Sequence, residues 1–312
     1  EVHTRLLWAF EGITSYYDEL ALVRSGLIDT PAYLQLLAET ITRVQRTPGR
    51  LVQTLAESSF DAWTKFYKAD ENAPNASVSY YAKGALVALA LDLSIRRDTQ
   101  GTRSLDDLMR ALWERHGRTG VGVSERGVER LAVEITGLDL DAFFEQALDS
   151  TEDLDLQTLV ATVGVEMRLR QPRGPKDLGG WVERPGTAAE DQTALLSLSI
   201  RLRSGGPEPV IQHVLSGGAG ERAGLAPGDI LVAIDGLRVT AENLDRLVAQ
   251  AGLPGDGEGP TALRLHVFRR DELLELWARP LPALEDTCEL SLIDPVGKDL
   301  ARARRAWLTG RP

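Results

Sequence analysis

Residues 77–97, SVSYYAKGALVALALDLSIRR, set the strongest limit on how this chain folds. The middle of the segment is apolar on nearly every side, and a helix of that kind has to be enclosed by other elements. A membrane does not supply the enclosure. The longest apolar run, 85–93, is interrupted by Asp92 and falls well short of the ~20 residues that a bilayer crossing needs. The neighbours must come from the rest of the chain.

The flanking sequence offers helices. Residues 8–24 are apolar at helical spacing, and Thr30 followed by Pro31 reads as a cap and a first-turn proline, opening a helix that ends before Pro48 and Gly49. Residues 59–75 are aromatic and polar without a clear period and read as partly irregular. Ser104 with Asp107 makes a capping-box start for SLDDLMRALWERHG, which Gly117 stops. Ser124 is expected to cap a helix ending at Gly137, with short helices following over 141–148 and 154–162. No sheet is expected in this half.

Beyond about residue 150 the pattern changes. Residues 165–170 alternate as a strand does, and 171–191 carry Pro172, Pro175, Pro185 and several glycines, the composition of a linker. From Leu195 onward come short strand-like runs, one helix candidate at 241–251, and a tight-turn signal at Asp235 and Gly236. The last stretch, 296–308, reads as a basic amphipathic helix pinned back by Trp307 and Leu308. The expected division is a helical part over 1–164, a strand and linker over 165–191, a small β-rich domain over 192–285, and a tail with a helix over 286–312. A chain of 312 residues is consistent with two domains at roughly 150 residues each.

Composition excludes several functions. With 35 basic and 46 acidic residues the net charge is −11, which argues against nucleic-acid binding. The arginines at 302, 304 and 305 therefore read as a solvated helix face. Only five of the basic residues are lysine, a bias of GC-rich bacterial genomes. The single cysteine, Cys288, excludes an internal disulfide and any multi-cysteine metal site. The four histidines (His3, His116, His213 and His266) lie far apart, so no helix carries an H-E-x-x-H pair. The chain opens Glu-Val-His without methionine, basic region or apolar core, so it reads as a processed piece without a signal peptide. Its compartment, bacterial cytoplasm or periplasm, stays open.

Two segments of the helical half carry chemistry. In WAFEGITSYY, Glu11 sits in a strongly apolar helix, where a carboxylate needs a cap, an ion pair or a metal. In YYAKG, Tyr81 opens the enclosed helix, either as a core aromatic with a wet tip or as a phenol with a reacting partner. Further on, AGLAPGDILVAIDG at 223–236 combines turn glycines with two inward-facing apolar strands.

Taken in order, W-x-x-E-G and Y-x-K-G resemble the gluzincin zinc aminopeptidases, and with the 223–236 segment they are similar to the bacterial glycyl aminopeptidase family with its PDZ domain. The likeness runs from Glu1 to about Arg279. It implies a multi-domain α+β protein: the all-α C-terminal half of a thermolysin-like (gluzincin) catalytic domain, then a small β-rich PDZ domain. It further implies that Glu11 is the third zinc ligand and Tyr81 the phenol that hydrogen-bonds the tetrahedral intermediate. The family's H-E-x-x-H helix lies upstream, and this sequence starts ten residues before Glu11. The expectation is thus a fragment of a zinc metallo-aminopeptidase acting on small N-terminal residues such as glycine or alanine. Zinc belongs to the intact parent, with none bound to this piece, which is inactive alone. Its partners would be the missing N-terminal half and peptide substrate, with no membrane. By the same resemblance, Ser197, Leu198, Ser199 and Ile200 form the peptide-binding loop and strand, facing Leu244 and Val248. Where the family has glycine this chain has Ser199, which would strain a positive φ or reshape the loop. A peptide C-terminus is one possible occupant. The PDZ unit could instead pack on its own catalytic domain, and the alternative function is a non-catalytic PDZ peptide-binding module.

Overall fold

The computed structural model describes residues 2–174, 176–183, 196–206, 208–251, 260–294 and 296–310. Its centre is α5 (Ala82–Asp98), in which every residue from Ala82 to Ile95 is buried. Ahead of it come a π-helical turn (Trp8–Ile13), α1 (Thr14–Arg24), α2 (Thr30–Gln45), α3 (Leu55–Phe60) and α4 (Ala73–Ala76). After it follow α6 (Leu105–Leu112), α7 (Gly127–Thr136), α8 (Asp141–Phe144) and α9 (Leu156–Ala161). The polar residue in the apolar run is accommodated by full pairing. Asp92 is buried and accepts from the Tyr16 hydroxyl (2.8 Å), Arg96 Nε (3.0 Å) and the Leu105 N–H (2.9 Å).

Helix starts follow local hydrogen bonding and correct two expectations. The cap of α2 is Asp29, whose carboxylate accepts from the Ala32 N–H at 2.9 Å, so Thr30 is already helical. Arg126, at φ +60°, precedes α7, while the Ser124 hydroxyl accepts from Arg130. The Ser104–Asp107 capping box is present. A second capping box (Thr54 and Glu57) starts α3, and within 59–75 a π-helical turn over Ala62–Phe66 and then the start of α4 follow.

The chain leaves the helices through β1 (Val165–Arg170) and β2 (Gly180–Trp181), and it returns through β11 (Thr287–Leu292). β11 lies between the other two, antiparallel to β1 with Val165 opposite Leu292, and parallel to β2. This small sheet packs on α2. The final helix, α12 (Lys298–Thr309), then seats Trp307 in the helical core, where its Nε1 donates to the Tyr16 hydroxyl at 2.8 Å. The stretch read as a terminal tail is thus part of the first hydrophobic body. The linker residues 184–191 and Pro175 lie outside the described residues.

Between these outgoing and returning strands is a second body with its own core, centred on Ile211, Leu231, Leu263, Leu265 and Val267. It contains β3 (Leu196–Ser197), β4 (Ile200–Leu202), β5 (Ile211–Val214), β6 (Ile230–Ile234), β7 (Leu237–Arg238), β8 (Leu263–Arg269), β9 (Glu272–Ala278) and β10 (Leu281–Pro282), with α10 (Ala219–Arg222) and α11 (Leu244–Ala251). Asp235 and Gly236 make the tight turn between β6 and β7, both with positive φ (+49° and +81°) as a two-residue hairpin loop requires. Among the described residues, no helix is long and apolar enough to cross a membrane.

The hairpin β4–β5 lies against the helical body. Arg201 donates to the Arg46 carbonyl (2.7 Å) and His213 Nδ1–H to the Glu71 carbonyl (2.9 Å). Asn75 donates to the Val214 carbonyl (2.8 Å) and accepts from the Ser216 N–H (2.9 Å).

Candidate functional site

Two glycines bring the chemical segments together. A β-carbon on Gly12 would lie 2.6 Å from Gly84 Cα, and one on Gly84 would lie 2.9 Å from Gly12 Cα and 3.0 Å from the Trp8 carbonyl oxygen. The π-helical turn and the start of α5 therefore cross backbone to backbone, an approach open only to glycine at both positions. The crossing juxtaposes Glu11 with the tyrosines that precede Gly84. Glu11 is half-buried, and its carboxylate caps no helix and makes no hydrogen bond or salt bridge among the described residues. The capping and ion-pair readings of this residue thus find no partner in the fold.

Beside it stand three phenols. The buried Tyr80 hydroxyl donates to Tyr67 Oη at 3.2 Å, and the Tyr67 and Tyr81 hydroxyls are 3.3 Å apart. The Tyr80 and Tyr81 rings are 4.6 Å apart, and Phe66 packs against both. Hydrogen bonding to Tyr67, then burial, holds the Tyr81 phenol above the usual tyrosine range, and the negative charge of Glu11 adds to the effect. Hydrogen bonds from Tyr80 and Tyr81 pull Tyr67 below that range. Tyr67 is invisible to sequence reasoning because it falls in the stretch without a period; only an aromatic-rich segment hinted at it. Lys83 points elsewhere: it is buried, its Nζ donates to the Arg50 carbonyl (3.4 Å), and burial lowers its pKa.

The remaining metal-binding residue types do not converge on Glu11. His3 pairs with the Phe60 carbonyl, His116 with that of Val121, and His266 with Glu275. Among the described residues, no three His, Cys, Asp or Glu side chains are grouped to hold a metal ion. Glu11 is the residue available to contribute one ligand. Cys288 is buried in the middle strand of the small sheet, and burial pushes its thiol up to about 12.

In the second body, Leu198, Leu244 and Val248 are buried in one cluster, with Ile200 packed against it. Ser199 keeps the left-handed conformation, at φ +56°. Its N–H donates to the Ser197 hydroxyl at 2.9 Å, and its carbonyl accepts from the Leu215 N–H at 2.9 Å. The loop thus retains a glycine-type backbone and fills one of its own amides with a serine oxygen.

Known proteins match two separate parts of the chain. Residues 1–87 match the family model for M61 glycyl aminopeptidase, and residues 210–252 match that for the PDZ domain. No curated protein sequence matches. Among solved structures, the crystal structure of an aminopeptidase N family protein from Idiomarina loihiensis matches with a TM-score of 0.84 and 34% identity, over 98% of this chain and 49% of that one. The chain spans about half the length of that relative.

Proposed function

We propose that this chain, with its M61 glycyl aminopeptidase region followed by a PDZ domain, is the C-terminal part of a bacterial zinc metallo-aminopeptidase that removes small N-terminal residues such as glycine or alanine. The observation that carries the reading is Glu11, a half-buried carboxylate without a partner, set beside Tyr81 by the Gly12–Gly84 crossing. A carboxylate oxygen is a fitting zinc ligand, but one ligand does not hold the ion, so the others have to come from outside the described residues. When bound, zinc would lower the pKa of water and polarise the scissile carbonyl. Tyr81 supplies a hydrogen bond where negative charge develops on that carbonyl's oxygen, and its raised pKa keeps the donor proton in place at neutral pH. Tyr67 bridges Tyr80 and Tyr81 and so steers the Tyr81 hydroxyl.

The test uses a longer polypeptide that contains this chain together with upstream H-E-x-x-H sequence. There Tyr81→Phe should lower turnover about a hundredfold without loss of metal, the typical cost of one oxyanion donor. Glu11→Gln should lose metal and activity together. Unchanged turnover in the phenylalanine variant would remove Tyr81 from the mechanism. The 312-residue chain itself should neither retain stoichiometric zinc nor hydrolyse peptides, and tight zinc in it would contradict the fragment reading.

A second reading draws on the separate core of the PDZ unit: the chain acts as a non-catalytic peptide-binding module. A start codon upstream with no H-E-x-x-H between it and Glu1 would favour that reading.

A further inference from the structure

Arginines gather in an acidic protein where the two bodies meet. A recess of about 280 Å³ is lined by Arg43 and Arg46 near the end of α2, by Arg201 of β4, and by Leu178. Of the carboxylates nearby, Asp286 pairs with Arg46 Nε at 3.0 Å, and Glu39, which lines the recess, accepts from the neutral Gln35 amide at 2.7 Å. Arg43 has no side-chain hydrogen bond or salt bridge among the described residues, and its charge acts on Glu19 only at a distance. Arg201 makes a single hydrogen bond, to the Arg46 carbonyl, although a guanidinium offers five N–H donors. Burial and the charge of Arg46 lower its pKa and outweigh the nearby Asp286, so its cationic form gains from a further anion.

Arg43 also relates the recess to the candidate site. It lines the recess and equally lines a second cavity of about 240 Å³, whose wall includes Tyr81, Tyr33, Asp18 and Glu19. A peptide lying along the two cavities from Tyr81 would pass Arg43 and reach Arg201. We infer that Arg43 and Arg201 form an oxyanion site at the interface of the two bodies, which receives the C-terminal carboxylate of a short peptide. Planar guanidinium forks suit a carboxylate, and exposed Leu178 offers an apolar surface to the terminal side chain. That the anion belongs to a peptide rests on the peptidase reading, whereas the oxyanion chemistry does not. The PDZ body thereby supplies one of the two cations, a role separate from its own loop, where Ser197 already occupies the Ser199 amide.

The experiment is calorimetric titration of the 312-residue chain, metal-free, with acetyl-glycyl-leucine, with its C-terminal amide, and with inorganic phosphate. The free carboxylate should bind at one site and the amide about tenfold more weakly, the loss expected for a charge-assisted pair. Arg43→Gln removes a side chain with no hydrogen bond or salt bridge among the described residues, so it should weaken binding at least about fivefold with thermal unfolding nearly unchanged. Arg201→Gln should weaken it similarly. Equal binding of acid and amide, retention of affinity in Arg43→Gln, or no binding at all would each overturn the site. Phosphate binding as tightly as the peptide acid, in competition with it, would overturn the peptide assignment. Because metal and turnover play no part, these outcomes are independent of those that test zinc and Tyr81.

Discussion

Gly12 and Gly84 show how one missing atom can define a site. Their backbones touch, so a methyl group on either forces the π-helical turn and α5 apart and displaces Glu11 from Tyr81. Gly84→Ala should therefore cost about 2 kcal/mol or more in denaturant unfolding, because the contacted atoms are backbone and cannot rotate away. A variant as stable as the parent would mean that the helices separate freely. Ser199 makes the opposite case. A β-carbon at φ +56° costs roughly 1–2 kcal/mol, partly offset by the greater chain entropy of glycine. Ser199→Gly should raise the stability of the PDZ unit by about 0.5–1 kcal/mol, read as slower amide exchange in β5, whose neighbour Leu215 bonds Ser199. Both positions were legible as chemistry: the motifs named Glu11, Tyr81 and a serine in a glycine's place. Tyr67, Arg43 and Arg201 were not, since each matters only through neighbours distant in sequence.

At the scale of elements, local signals located most helices, because capping boxes and apolar period act within a few residues. They missed the return of the chain, which no local signal encodes. β11 is bordered on both sides by strands that precede the PDZ body, so the small sheet is completed only by a strand that follows that body in the chain. Its polar edge is a cluster of charges. Arg170 bonds Asp177 (2.6 Å) and Glu289 of β11 (2.6 Å), and Asp177 also accepts the backbone N–H groups of Arg173 and Gly179. Burial works to raise the Asp177 pKa, but Arg170 and these two amides outweigh it and hold the carboxyl at about 2. A folded-state value below the unfolded one of about 3.9 stabilises the protein above that pH and is lost as pH falls toward 2. Acid unfolding should accordingly steepen between about pH 4 and 2, and Asp177→Asn should flatten that region while lowering stability at neutral pH. An identical acid limb in the variant would show that Asp177 is not the group that titrates.

For the molecule as a whole, the decisive fact is that the PDZ body is tied to the helices at both chain crossings and across the face of its β4–β5 hairpin. That face is polar, and its bonds run largely between side chains and backbone, as in an interface that holds an orientation without forming a common core. Asn75 carries two of these bonds from a segment that begins at Tyr67, so the candidate site and the PDZ hairpin share one short stretch of chain. Removing that link should loosen the hairpin and leave the enclosed helix unaffected. In Asn75→Ala, two backbone groups at Val214 and Ser216 lose their partners, at about 1 kcal/mol each. Hydrogen exchange should then quicken roughly tenfold or more across β5 while α5 amides keep their protection. If the extra mobility also weakens acetyl-glycyl-leucine binding, the interface is what positions Arg201 opposite Arg43. Faster exchange in β5 with unchanged affinity would instead assign Asn75 to docking alone, with Arg201 held by the Arg46 carbonyl.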